Sequence, residues 1–229
     1  MFRKLSAPDV AASIISRSTL LEGGATERGI RRLVQQHELI AVRRGWFIDA
    51  KLHAELRPED RHLAHVFAVA RDGSQHAVAS HASAAVLWGL PLYRTPAPRV
   101  QLIVPSGQRI SSGSDVIRHA HDLAEADVVE LHGVRATSLR RTVFDLLRTM
   151  SPEAAVAVAD AAERTVTFAD WEWDLDKRAK WRGDLRQLIE AAAGARGIRR
   201  ARRVADFANG RAQLPLESVS RLQLSRLGY

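Results

Sequence analysis

Apolar and polar positions alternate with a changing period over the first fifty residues. From residue 26 to about Gln36, Ile30, Leu33 and Val34 fall within about 100° of one another on a helical wheel, the stripe a helix buries. Arg28, Arg31, Arg32 and Gln35 fan across the opposite side. Thr26 stands at the N-cap position of this helix, and Ser18 at that of a shorter one, STLLEGG, which stops at Gly23 and Gly24. LIAV and WFI then read as two short strands around Arg43-Arg44-Gly45, a hairpin tip where glycine supplies the permissive backbone. Helix, turn, helix, strand, arginine-tipped loop, strand is the order of a winged helix-turn-helix, and it predicts a domain over residues 1–57.

The pattern changes from Arg57. RPEDRHLAHVFAVARD predicts a helix with a proline start, HAVAS a short buried strand, and HASAAVLWG a helix capped by Ser80 that ends at Gly89 ahead of Pro91. RVQLIVP, DVIRHAHDL, DVVEL and VRATS predict four short strands, with His132-Gly133 as a tight turn. They compose a small, mostly antiparallel sheet. Ser138 caps LRRTVFDLLRTM, Ser151-Pro152-Glu153 opens an alanine-rich helix, and helices continue to about residue 227. There is no internal repeat or low-complexity tract. The expected fold class is α+β: the winged helix, an α+β domain over 58–195, and a basic helical segment over 196–229.

Composition narrows the partners. Lys and Arg number 34 against 26 Asp and Glu, a net charge of +8 with a pI near 10.8. Such a balance favours a polyanion, and nucleic acid before membrane because no basic amphipathic anchor stands out. Lysine occurs only at Lys4, Lys51, Lys177 and Lys180, so arginine carries the charge, as either phosphate binding or a GC-rich coding bias would produce. The absence of cysteine excludes disulfides, thiolate metal sites and a cysteine nucleophile, and points to the cytoplasm. The N-terminus lacks the apolar run of a secretory signal, and no stretch approaches the roughly 20 apolar residues that span a bilayer.

The sharpest chemical signal is the face of Arg28, Arg31, Arg32 and Gln35. These side chains read guanine and adenine edges or clamp phosphate, and they occupy the face a winged helix presents to the major groove of double-stranded DNA. Arg43 and Arg44 at the wing tip would hold phosphate or the minor groove. If the five arginines each displace one counterion, log K falls with log salt at a slope of about −4.5, some 500-fold between 50 and 200 mM. Arg196, Arg199, Arg200, Arg202 and Arg203 form a second basic patch; from Arg196 onward eight arginines face only Asp206 and Glu217. It serves equally as a phosphate contact or a solvated helix.

Other constellations are weaker. His119 with His121, and His62 with His65, have helical or strand spacing for metal but no evident third ligand, so no metal site and no cofactor is expected. Asp122, Glu125, Asp127 and Glu130 read as solvated acids. Ser80-His81 and Asp145 lack the glycines of a nucleophile elbow. The tryptophans of DWEWDLDKRAKW, residues 170–181, suit a short amphipathic turn and helix edge. Leu216, Val219, Leu222, Leu224 and Leu227 give the last helix an apolar stripe. The chain stops just after it, where a strand is expected, and so reads as cut or naturally shortened.

Four segments in order, IISRSTLLEGGATERGIRRLVQQHELIAVRRGWFIDA, AVASHASAAVLWGLPL, VRATSLRRTVFDLLRTM and GIRRARRVADFANGRAQLPLESVSRLQLSRLG, resemble the actinobacterial AbiEi-type antitoxins over nearly the whole chain. The resemblance implies a winged-helix transcriptional repressor that autoregulates its operon. It also implies opposition to a nucleotidyltransferase-like toxin without stable contact, the type IV toxin-antitoxin arrangement. Many such relatives continue into a domain similar to very-short-patch-repair endonucleases, where the glutamate matching Glu217 begins a metal site completed by later acids. One carboxylate cannot hold the metal ions of phosphodiester hydrolysis, so this chain is expected not to be an enzyme. The alternative is the DNA-targeting part of such an endonuclease. The operator is not legible, nor whether a single copy, a homodimer or cooperative copies occupy the DNA.

Overall fold

The computed structural model describes residues 5–73, 76–95, 99–107 and 113–229, a mixture of helices and sheets. It forms two compact units, one of Met1–Ala79, Ala97–Asp122 and Glu130–Arg135, the other of Ser80–Pro96, Leu123–Val129 and Ala136–Tyr229. The segments interleave, so residue 57 lies inside the first unit and residue 195 inside the second.

The first unit begins with α1 (Ala7–Ser13), β1 (Ile15–Ser16), α2 (Arg17–Glu22), α3 (Glu27–Gln35), β2 (Leu39–Arg43), β3 (Trp46–Asp49), α4 (Ala50–Glu55) and α5 (Pro58–Asp72). β1, β3 and β2 make a three-stranded antiparallel sheet in that order, registered by Ile15 opposite Phe47 and Ile40 opposite Ile48. Val10, Ile14, Ile30, Phe47, Ile48 and Leu56 are buried, and α5 adds Leu63, Val66 and Phe67. Hydrophobic side chains from elements too short to be stable alone thus share one core.

β4 (Val78–Ala79), β5 (Val100–Val104) and β6 (Val116–Ala120) belong to a second sheet, of order β6-β5-β4-β8-β7. β7 (Val128–Leu131) and β8 (Val134–Thr137) join it as a hairpin turning at His132 and Gly133. β4 and β5 are antiparallel, whereas β5 and β6 run parallel from Val100 opposite Val116 to Val104 opposite Ala120. This parallel pair departs from the expected antiparallel trend. Alternation of side chains is the same in both directions, so the strand pattern does not settle the direction of pairing.

The second unit consists of α6 (His81–Leu87), α7 (Leu139–Thr149), α8 (Pro152–Thr167), the hairpin β9 (Phe168–Ala169) and β10 (Glu172–Trp173), α9 (Leu175–Ala191), α10 (Ile198–Phe207) and α11 (Pro215–Arg226). α8 packs against α7, α9, α10 and α11. It is buried on nearly every side, and Ala154, Ala155, Ala157, Ala159 and Ala162 let its neighbours approach closely. Two of its carboxylates, Asp160 and Glu163, are each 1% exposed. Asp160 accepts from the Asn209 N–H (2.6 Å) and from Arg221 Nη2 (2.7 Å); Glu163 accepts from Arg178 Nε (2.7 Å) and Arg182 Nε (2.9 Å). α9 and α11 are therefore held to α8 partly by charge.

This bears on the apolar stripe of the last helix. Ser218 is buried and Val219 and Leu222 are half-buried, but Leu216, Leu224 and Leu227 are exposed. Arg221 on Asp160 and Arg226 on Glu153 (2.5 Å) make the attachment, a polar one that the leucine spacing concealed.

Gly197 opens α10 at φ 81°, and a Cβ there would overlap the carbonyl oxygen of Arg148. Backbone strain and collision with a peptide group act together, so Gly197→Ala is expected to destabilise the second unit by about 2 kcal/mol or more. Thermal unfolding measures this; an unchanged midpoint would show that the connection relaxes freely.

Candidate nucleic-acid interface

Ser16, rather than Ser18, caps α2: its Oγ accepts from the Thr19 N–H (3.0 Å) and also bonds the hydroxyls of Ser18 and Thr19. β1 places Ser16 in extended backbone directly before the helix, which makes the choice. The turn to α3 needs Gly24, at φ 89°, a backbone conformation that side chains disfavour. Thr26 caps α3 as predicted, its Oγ1 accepting from the Gly29 N–H (3.0 Å). Glu27 in the first turn pairs with Arg17 of α2, tying the two helices.

On α3 Ile30 is buried while Leu33 and Val34 are half-buried, so the wheel pattern gives the inward side. Arg28, Arg31, Arg32 and Gln35 are all exposed. None of those three arginine side chains has an ion pair or hydrogen bond among the described residues. They stand as free cations on one helical face.

The hairpin treats its two arginines differently. Arg44, beside Gly45 (φ 83°) in the two-residue turn, is exposed and likewise free among the described residues. Arg43 is not: its Nη1 lies 3.3 Å from Asp72 and its Nε 3.2 Å from Asp115, with the side chain 22% exposed. Arg43 is thus engaged by two carboxylates within the fold, where the sequence had placed it at the open tip beside Arg44. The ladder slips between Ala41 and Arg43, since Ala41 faces Phe47 and Arg43 faces Trp46. In a regular strand Arg43 would share the face of Ala41 and Phe47; the bulge puts it instead on the face of Trp46, beside Asp72 of α5. Asp72 also accepts from Trp46 Nε1 (2.8 Å), and Arg71 stacks 5.3 Å from the Trp46 ring. Arg43 thus anchors the hairpin to the end of α5.

His65 joins this cluster, its Nε2 3.5 Å from Asp115. The histidine pair considered for metal therefore has a carboxylate neighbour supplied by residue 115. Burial lowers the affinity of His65 for a proton; Asp115 opposes this and Arg43 adds to it. His62, 4% exposed, is lowered by burial, with the charge of His65 adding, to about 4. A histidine depressed in the fold titrates near 6.5 when unfolded, so its contribution is full above pH 6.5 and is lost as pH falls toward 4. The protein is expected to lose about 3 kcal/mol over that interval from this group. Thermal melts across pH 4–7 will show it, and His62→Phe should flatten the dependence; an equal slope in the variant would assign it elsewhere.

The remaining candidates separate as follows. In the second patch Arg196, Arg199, Arg202 and Arg203 are exposed, whereas Arg200 is half-buried and donates to the Arg148 carbonyl. Asp127, expected to be solvated, is 7% exposed and sits 3.4 Å from Arg141 and 3.5 Å from Arg140, contacts that bring together residues 13 and 14 apart. Asp145 bonds Arg141 Nε (3.0 Å). Ser80 and His81 do share a hydrogen bond (3.1 Å), but Ser80 is fully buried and Asp145 is committed to Arg141. Glu217 accepts from the Gln213 N–H (2.7 Å). Among the described residues no three histidine or acidic side chains gather as a metal site would require, and no helix is long and apolar enough to cross a membrane.

No protein-family model matches the chain. It is similar to the uncharacterized proteins MT2308 of Mycobacterium tuberculosis (strain CDC 1551 / Oshkosh) and Rv2248 of Mycobacterium tuberculosis (strain ATCC 25618 / H37Rv), 29% identical to each over 147 residues. The match covers 64% of this chain and 48% of each relative, so the chain spans about half the length of the curated relatives it matches. Among solved structures it is similar to the RV2827C protein from Mycobacterium tuberculosis, with 17% identity, a TM-score of 0.46, and coverage of 94% of this chain and 79% of that one.

Proposed function

We propose that the chain is a DNA-binding transcriptional repressor whose α2, α3, β2 and β3 act as a winged helix-turn-helix. The observation that carries this is the sorting of arginines. Arg43, Arg57, Arg141, Arg178, Arg182 and Arg221 are each paired with a carboxylate, while Arg28, Arg31, Arg32 and Arg44 are exposed and free among the described residues. Cations left unpaired on one helix face and one hairpin tip are what a phosphate backbone recruits.

In this reading α3 enters the major groove. Arg28, Arg31 and Arg32 meet guanine edges or phosphates, Gln35 is suited to adenine, and Arg44 holds the backbone beside the groove. Arg43 sets the angle of the hairpin through Asp72 and Asp115. The exposed arginines of α10 are a secondary contact. The antitoxin role, against a nucleotidyltransferase-like toxin with no stable contact, rests on the resemblance of the four segments given above.

The test is anisotropy of the protein on the duplex upstream of its own gene against random duplex of equal length. A preference of about 10³ or more is expected of a specific repressor. Equal affinity would reduce the reading to non-specific binding. Co-expression with a neighbouring nucleotidyltransferase-like gene tests the antitoxin part: growth restored by the chain supports it, and growth arrest unaltered by the chain removes it.

A further inference from the structure

We propose that α11 is a self-association surface, on which a second copy of this chain docks its own α11 in antiparallel orientation. Of the eight large hydrophobic side chains exposed among the described residues, five lie on α11 or flank it: Leu214, Leu216, Leu224, Leu227 and Tyr229. Scattered apolar exposure is ordinary, but its concentration along one helix marks a contact. At 100° per residue Leu216, Ser220, Gln223, Leu224 and Leu227 fall within about 100° of one another, and none of the five ionises. The two arginines of the helix are both engaged by carboxylates of α8, Arg221 by Asp160 and Arg226 by Glu153. A chain of net charge +8 repels its own copies, so a face on which two can meet must carry no unpaired cation. This face meets that condition.

The order of residues along the stripe identifies the occupant. Two antiparallel helices related by a two-fold axis between Arg221 and Leu222 set each residue against the one equally far along on the other side of the axis. Leu216 then meets Leu227 of the second copy, Ser220 meets Gln223, and the flanking Leu214 meets Tyr229. Apolar faces apolar, and uncharged polar faces uncharged polar. Gln223 donates to Glu153 (3.4 Å), which leaves its carbonyl oxygen to accept from the Ser220 hydroxyl across the axis. A groove on an unrelated partner has no need of such a mirrored order. Covering these side chains removes about 1,000 Å² from water over the two copies, the least that a specific interface requires, and so sets a dissociation constant in the micromolar range. The dimer is independent of whether α3 meets DNA.

Sedimentation equilibrium of the full chain between about 1 and 500 µM tests it, with the mass expected to rise from one copy to two. Leu216→Glu and Leu227→Lys, each alone, set a charge against leucine and should weaken the dimer at least about tenfold. Combined in one chain, the two substitutions face each other across the axis as two ion pairs. Association should then return to within about threefold of the unmodified protein. Leu216 is 64% and Leu227 73% exposed, and an acid in the first turn with a base at the last suits the helix dipole, so thermal midpoints should hold in all three variants. A mass of one copy at every concentration overturns the proposal and leaves the stripe to another occupant. So does a dimer indifferent to the single substitutions, which would lie on another surface. A double variant no stronger than the singles overturns the antiparallel pairing and, with it, the argument for a second copy.

Discussion

Alanine at Arg28, Arg31 and Arg32 together abolishes specific binding to the upstream duplex while leaving stability within about 0.5 kcal/mol of the unmodified protein. All three are exposed and free of partners among the described residues, so nothing in the fold is lost with them, and alanine is at least as good a helix former as arginine. Salt dependence separates the possible causes of lost binding. With Arg43 engaged by Asp72 and Asp115, four free cations remain on α3 and the hairpin tip, which gives a slope of about −3.6 and a loss near 150-fold between 50 and 200 mM salt. The slope of about −4.5 that follows from counting five arginines is too steep for this surface alone. The triple variant retains Arg44 and should show a slope near −0.9, a loss of about 3.5-fold. Undiminished affinity in the variant would remove α3 from the account, and a slope unchanged by it would place the phosphate contacts elsewhere, first of all on α10.

Replacement of Glu163 by alanine destabilises the second unit by about 3–5 kcal/mol, because it leaves two half-buried arginines facing α8 without their carboxylate. Glu163 accepts from Arg178 and Arg182 and lies 3.3 Å from the Gly210 N–H, so one carboxylate joins α8, α9 and the segment after α10. Burial works to raise its pKa, but Arg182, Arg178 and the Gly210 N–H together hold it below the ordinary 4.5. A depressed carboxylate stabilises the fold above its unfolded pKa and ceases to do so as pH falls through the folded one. The difference between Glu163→Ala and the unmodified protein is therefore full at pH 7 and shrinks below about pH 4.5. Asp160 makes a useful contrast: there burial outweighs its bonds to Asn209, Ser218 and Arg221 and raises the pKa, so Asp160→Asn is expected to be the milder change. Urea unfolding at pH 7 and pH 4 measures both. Equal effects of Glu163→Ala at the two pH values would mean that packing, not charge, carries the interaction.

Much of the local structure was legible because its causes are local. Thr26, Ser138 and Ser151 each cap the helix they precede in sequence, and the two-residue turns fall at Arg44-Gly45 and at His132-Gly133. The inward side of α3 follows from the spacing of Ile30, Leu33 and Val34. Ser18 lost the capping position to Ser16, two residues earlier, because β1 leaves Ser16 in extended backbone directly before the helix. The tryptophan segment shows the limit more clearly. Residues 168–173 form a hairpin turned at Asp170 and Trp171, both with positive φ, and Trp171 is 91% exposed. A bulky aromatic in that backbone is not a choice local propensity would make. The packing of Phe168 and Trp173 beneath Arg164, at 4.3 and 5.5 Å, is what accompanies it.

What the amino-acid order determined by itself was the set of short-range relations: periodicity, caps, turns, an excess of positive charge, and the exposed polar face of α3. These depend on neighbours three or four residues away, which a linear reading contains. Only the tertiary structure decided which charges are free. Arg43 meets Asp72 and Asp115 across 29 and 72 residues of chain, and Asp127 is buried by Arg141 rather than solvated. A single bulge inverted the side on which Arg43 lies. Ion pairing depends on distances of a few ångströms between segments remote in sequence, and composition cannot distinguish an arginine that holds a fold from one that awaits a phosphate.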